Sequence, residues 1–134
     1  MSNPLGTTIG DYITLQRGFD ITKKEQTVGC YPVVSSGGIS SYHNEFRAAG
    51  PGVIIGRKGT LGSAFYVDSD YWPHDTTLWV KDFKGNNPKF IFYFLKKLGL
   101  ERLDSGSSNP TLNRNFVHQI KAELPEKKTQ IKIS

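Results

Sequence analysis

The segment Gly52-Val53-Ile54-Ile55-Gly56-Arg57-Lys58-Gly59-Thr60-Leu61-Gly62 constrains this chain most. The β-branched apolar run at 53–55 reads as a buried strand. Ser63-Ala64-Phe65-Tyr66-Val67 reads as its partner. The glycines between them admit positive φ and a tight reversal. Arg57 and Lys58 then stand at the tip of a strand-turn-strand unit, where two cations can meet phosphates or base edges. A plain hairpin with solvated cations has the same pattern, and these residues alone do not separate the two readings.

The flanking sequence extends the sheet. Gly10 to Leu15 suits a strand or a short helix, and Gln16 to Glu25 is a polar loop. Tyr31 to Val34 is a short strand ended by the turn signal Ser35-Ser36-Gly37-Gly38. Thr76 to Val80 has high β propensity and supplies a third strand. Asn87 caps a helix with Pro88 at its first position, and Gly99 stops it. Phe90, Ile91, Phe94, Leu95 and Leu98 give that helix one apolar face. A short helix spans Asn113 to Gln119, anchored by Leu112 and Phe116. Ile120, Ala122 and Leu124 then alternate as a half-buried strand. The expected class is α+β: a twisted, largely antiparallel β-sheet with two or three helices.

At 134 residues the chain suits one domain with a real core. The formal net charge of +5 fits a polyanionic partner. The single cysteine, Cys30, excludes an intrachain disulfide, suits the cytosol, and is expected to be a small buried apolar residue. No secretory signal is visible, and no apolar run approaches the ~20 residues of a bilayer span. The expectation is a soluble, cytoplasmic protein with no membrane partner.

Catalytic and metal-binding patterns are missing. His43, His74 and His118 are far apart and there are no cysteine pairs, so no metal site is expected. His74-Asp75 is the one close histidine-acid pair, and on extended chain its side chains point to opposite faces. The glycine loop lacks the Gly-Lys-Ser/Thr ending of a P-loop, because Gly59 follows Lys58. Gly56-Arg57-Lys58-Gly59 matches the Gly-x-x-Gly of a KH module, but its flanks here are strands rather than helices. Polar and basic residues instead gather in loops: Gln16-Arg17, Lys23-Lys24, Ser35-Ser36, residues 57–60 and residues 105–109. Such side chains pair with phosphates and base edges. Lys89, Lys96 and Lys97 read as the solvent face of the long helix. Tyr42, Tyr71 and Trp72 are offered either to bases or to the core.

In this order the signals resemble the target recognition domain of the specificity (S) subunit of type I restriction-modification enzymes. Residues 5–18 look like its opening segment, and 31–39 like its strand and Ser/Gly turn. Residues 52–62 match its most recognisable element, 74–80 its following strand, and 90–95 its aromatic helix. Ser105-Gly106-Ser107 with Leu112, then 120–125, looks like its closing segment.

The resemblance implies a domain at residues 1–126 that reads one half of a bipartite double-stranded DNA target. Residues 127–134 would begin the conserved spacer helix, with Gln130 and Ile133 in place and Thr129 where an acidic residue is usual. The implied partners are the methyltransferase (M) and restriction (R) subunits and a second target recognition domain. Methylation and cleavage belong to those subunits, with S-adenosylmethionine and ATP, so no cofactor and no catalysis are expected here. The implied DNA contacts are first Arg57, Lys58 and Thr60, then Ser35, Ser36, Ser107, Ser108, Asn109 and Arg114. A protein-interaction half-subunit, pairing with methyltransferase or specificity subunits, is the alternative.

Overall fold

A computed structural model describes residues 7–103 and 111–125. The proposed contacts Ser107, Ser108 and Asn109, and the spacer-helix start at 127–134, lie outside the described residues.

The elements run α1 (Ile9–Tyr12), β1 (Thr14–Arg17), β2 (Val28–Ser35), β3 (Gly38–His43), β4 (Gly52–Gly56), β5 (Ala64–Val67), β6 (Trp72–Pro73), β7 (Thr77–Asp82), α2 (Pro88–Leu98) and α3 (Arg114–His118). The α+β reading is borne out, with the strands divided between two sheets. One is antiparallel, in the order β1-β7-β4-β5. The other has the order β3-β2-β6, with β2 and β3 antiparallel and β2 and β6 parallel.

The alternation of side chains along β4 and β7 divides the core. Val53, Ile55, Leu78 and Val80 join the cluster that holds Phe90, Ile91 and Leu95 of α2, Ile9 of α1 and Val117 of α3. Ile54 and Trp79 point the other way, to Val34, Val67 and Tyr71. The four-stranded sheet thus carries helices on one face and the second sheet on the other, and β4 is buried along its whole length.

Local signals fix the long helix. The Asn87 side chain accepts from the Phe90 N–H at 2.9 Å, and Gly99 ends α2 in the left-handed region. Lys89, Lys96 and Lys97 lie exposed, as expected of its solvent face.

Four expectations are corrected. Cys30 is exposed, because burial on β2 begins only at Pro32. Phe116 is half exposed, and the anchor of α3 is Val117, with Leu112 buried beside it. Residues 120–124 form no strand. They meet the N-terminal segment through one bridge, Thr8 to Lys121, and the Thr7 hydroxyl donates to the Ala122 carbonyl at 2.8 Å. Ile120, Ala122 and Leu124 still pack on the core. Residues 16–25 are not wholly loop, since β1 runs through Arg17 and a 3-10 turn occupies Lys23–Glu25.

Leu95 is closed to solvent at the interface of α2 with the sheet. Leu95→Ala is expected to lower the unfolding free energy by about 2–5 kcal/mol through lost burial and a residual cavity. Asn87→Ala should cost about 1 kcal/mol through the lost cap. Urea unfolding of the two variants checks both figures.

Candidate nucleic-acid interface

The loop after β4 is folded back on itself rather than drawn as a simple hairpin. Gly62 N–H donates to the Gly56 carbonyl at 2.8 Å, and Gly56 N–H to the Ser63 carbonyl at 3.0 Å. A Cβ on Gly56 would overlap the Thr60 carbonyl oxygen, so this glycine serves close backbone approach. Gly62 has φ +76°, and a Cβ there would run into the Leu100-Glu101 backbone. Leu61, between them, is buried in the core and ties the loop down.

Three neighbours clamp the loop. The Thr76 carbonyl accepts from Arg57 N–H at 2.8 Å and from Lys58 N–H at 3.2 Å. Leu112 N–H donates to the Arg57 carbonyl at 2.7 Å, and Lys58 bridges to Thr111. From the β2–β3 turn, the Ser36 hydroxyl accepts from Thr60 N–H at 3.4 Å, and Ser36 N–H donates to the Thr76 hydroxyl at 3.3 Å. Segments 36, 57–60, 76 and 111–112 therefore form one end of the molecule.

Side chains add charge to this end. Arg57 Nε donates to the Asp75 carbonyl at 2.8 Å, and Arg17 Nη2 meets Asp75 Oδ2 at 3.5 Å. Arg114 Nη1 reaches the Leu15 carbonyl at 3.4 Å. Arg17, Arg57 and Arg114 line one cleft of about 220 Å³ together with Thr111, Asn113 and Asn115. Burial, and then the charge of Arg17, push the Arg57 pKa below its ordinary value, while Asp75 pulls the other way. Lys58 stands exposed on the rim, with no ion-pair partner among the described residues.

The structure thus brings together Arg57, Lys58, Thr60, Ser36 and Arg114 of the residues singled out in the sequence. Ser35 is held within the hairpin, its hydroxyl 3.1 Å from that of Ser40. Arg17 and Asn115 were not singled out as contacts. Arg17 lay in a basic loop pair, but nothing in a linear reading aims it at residue 114. Tyr71 is core, whereas Tyr42 is half exposed.

The His74-Asp75 reading is corrected. The chain turns at Asp75 and Thr76 instead of running extended, which brings His74 Nδ1 to 3.2 Å from Asp75 Oδ1. Thr76 also addresses Nδ1, its hydroxyl at 3.0 Å and its N–H at 3.2 Å. Asp75 and Thr76 share Nδ1, so they do not stand on the opposite ring nitrogens that the orienter and nucleophile of a relay occupy. Asp20, His74 and Asp75 place ligand atoms within 4.8 Å of one another. There, too, the donors are engaged, Asp75 by Arg17 and His74 by Thr76, and those partners compete with a cation.

His118 sets the position of α3. Its Nε2 accepts from Leu15 N–H at 2.9 Å, joining α3 to β1 beside Arg17 and Arg114. Burial, and then the charges of Arg114 and Lys84, lower its pKa.

Comparison with known proteins gives the family and the fold. The family model for the type I restriction modification DNA specificity domain matches residues 7–134. A putative type I specificity subunit of Mycoplasma pneumoniae is 26% identical over 119 residues, which is 86% of this chain and 32% of that protein. The S subunit of a type I restriction-modification system from M. genitalium has a TM-score of 0.71 at 18% identity, over 84% of this chain and 32% of that one. The HsdS subunit from Thermoanaerobacter tengcongensis has a TM-score of 0.71 at 13% identity, over 99% of this chain and 37% of that one. The two structural likenesses show the fold. The chain spans between 32% and 37% of the length of these relatives.

The geometry separates the two loop cations. Lys58→Ala should leave the unfolding free energy within about 0.5 kcal/mol. Arg57→Ala strips a hydrogen bond from the Asp75 carbonyl and should cost about 1 kcal/mol. Denaturant titration of both variants distinguishes them.

The pH dependence carries a second expectation. A histidine whose folded pKa is depressed leaves the unfolded chain to take up its proton first. The His118 contribution is therefore complete above the unfolded value near 6.5 and is lost as pH falls through and below it. The melting temperature should drop between about pH 7.5 and about pH 5.5, and His118→Gln, which keeps an acceptor but does not titrate, should flatten that drop.

Proposed function

The chain belongs to the family of type I restriction modification DNA specificity domains, and on that premise we propose that it binds duplex DNA sequence-specifically, reading one half of a bipartite target for a type I restriction-modification complex. One observation carries the proposal: the family match spans every segment that meets at the cationic end, from Arg17 through the 57–60 loop to Arg114.

Arg57, Lys58, Thr60, Ser36 and Arg114 are the proposed contacts within that end. Ser35, Ser107, Ser108 and Asn109 are retained as proposals from the sequence. A good bidentate contact to a base edge discriminates by about 1–3 kcal/mol, so two or three such contacts suffice for a short half-site. Specificity is the role of this domain, and methylation and cleavage are assigned to partner M and R subunits. In this reading a second target recognition domain supplies the other half-site, and residues 127–134 are proposed, from the sequence resemblance alone, as the start of the helix that spaces the two. No helix among the described residues is long and apolar enough to cross a membrane, and the proposed role in a type I complex fits a cytoplasmic protein.

One observation favours the protein-interaction alternative. The β2–β3 hairpin exposes three apolar side chains: Val28 is 91% exposed, Ile39 50% and Tyr42 51%. Capture of a methyltransferase subunit by this chain without DNA would support it.

The proposal is tested by fluorescence anisotropy with a random pool of duplex oligonucleotides, followed by rounds of selection. Salt-dependent binding and enrichment of a short motif are expected. Absence of binding at low salt, by this chain and by a full specificity subunit that carries it, would contradict the proposal.

A further inference from the structure

We propose that the cleft lined by Arg17, Arg57 and Arg114 seats a backbone phosphate of the duplex, so that it fixes register while the exposed rim at Lys58 and Thr60 meets base edges. The proposal rests on the DNA-binding reading and goes further by dividing this end of the molecule into a positioning site and a reading site.

Charge is the first argument. Three guanidiniums from segments far apart in sequence line one small cleft, whereas neither Asp75 nor Asp20 lines it. Asp75 pairs with Arg17 from outside the lining and offsets one of the three charges, and a neutral base edge does not offset the remaining two. A phosphate does, and the planar arginine fork suits its oxygens.

Anchoring is the second. Each guanidinium spends one nitrogen on a protein oxygen: Arg57 Nε on the Asp75 carbonyl, Arg17 Nη2 on the Asp75 carboxylate, and Arg114 Nη1 on the Leu15 carbonyl. Each carries five N–H donors, and the other donors of all three have no acceptor among the described residues. Arg57 has the firm anchor at 2.8 Å, and a side chain already held in place loses less freedom when the ligand arrives.

The arrangement is the third. The clip from Leu112 N–H to the Arg57 carbonyl holds the two sides of the cleft together at 2.7 Å. Lys58, the next residue, stands exposed on the rim and is free to contact a groove while Arg57 holds the strand. Phosphate contacts set orientation and carry no sequence information directly, and that is the role assigned here to Arg17 in particular.

The test compares Arg17→Gln, Arg57→Gln and Arg114→Gln with the wild-type chain on two probes. One is a random duplex pool, and the other is the duplex enriched by the wild type. Each variant should weaken both probes by the same factor and leave their ratio unchanged. The slope of log affinity against log salt should shrink by about 0.9 per arginine. Arg17→Gln decides the matter if Arg57→Gln unfolds, because Arg17 is a largely exposed side chain. A collapse of the ratio with random binding intact would make the cleft a base-reading site and overturn the proposal. Unchanged affinity and slope in all three variants would overturn it too, while leaving the DNA-binding reading standing. No duplex binding by the wild type would remove that reading and the cleft with it.

Discussion

Val53, Ile54 and Ile55 have no solvent on either face of β4, and the rest of the fold is arranged around covering them. Burying such side chains favours folding by about 1.5–3 kcal/mol each, and alternation sends them to opposite sides. Two coats are therefore needed. The helices supply one, and the β2–β3–β6 sheet supplies the other. The chain leaving Gly56 meets the β2–β3 turn, the start of β7 and the segment before α3. The loop is crowded for that reason, and its first glycine answers to the crowding.

This crowding converts a flexible turn into a fixed surface. Two loop N–H groups are spent on the Thr76 carbonyl and one loop carbonyl on Leu112. Arginines from three segments then converge with few acceptors among them. Desolvating a cation without a full partner is unfavourable, and the chain tolerates it here at its surface. The same end lies beside the His118 contact that seats α3 on β1, so charge and packing share one joint.

The parts of the fold legible in the sequence were those encoded locally. The strands at 53–55, 64–67 and 77–80 followed from β-branched and aromatic runs, and α2 followed from Asn87, Pro88 and Gly99. Phase was legible only where an element was long enough to repeat. α3 spans little more than one turn, so period alone did not choose between Phe116 and Val117. Cys30 lies on the uncovered end of β2, a fact set by where the other layer stops. The pairing of His74 with Asp75 depended on a turn that the sequence does not signal. Of the candidate site, Arg57, Lys58 and Thr60 were visible as a motif. Arg17 was not, because its neighbour Arg114 is brought to it only by tertiary packing.

The central claim is that DNA is met at the end of the molecule where the 57–60 loop, the Ser36 turn and the 111–115 segment join. Backbone amide chemical shifts of the 134-residue chain, titrated with duplex DNA, test it directly. The account predicts shifts concentrated at Arg17, Ser36, residues 57–61, Thr76 and residues 111–115, with the lysine face of α2 unmoved. Shifts confined to α2, or to Val28, Ile39 and Tyr42 of the β2–β3 hairpin, would contradict it.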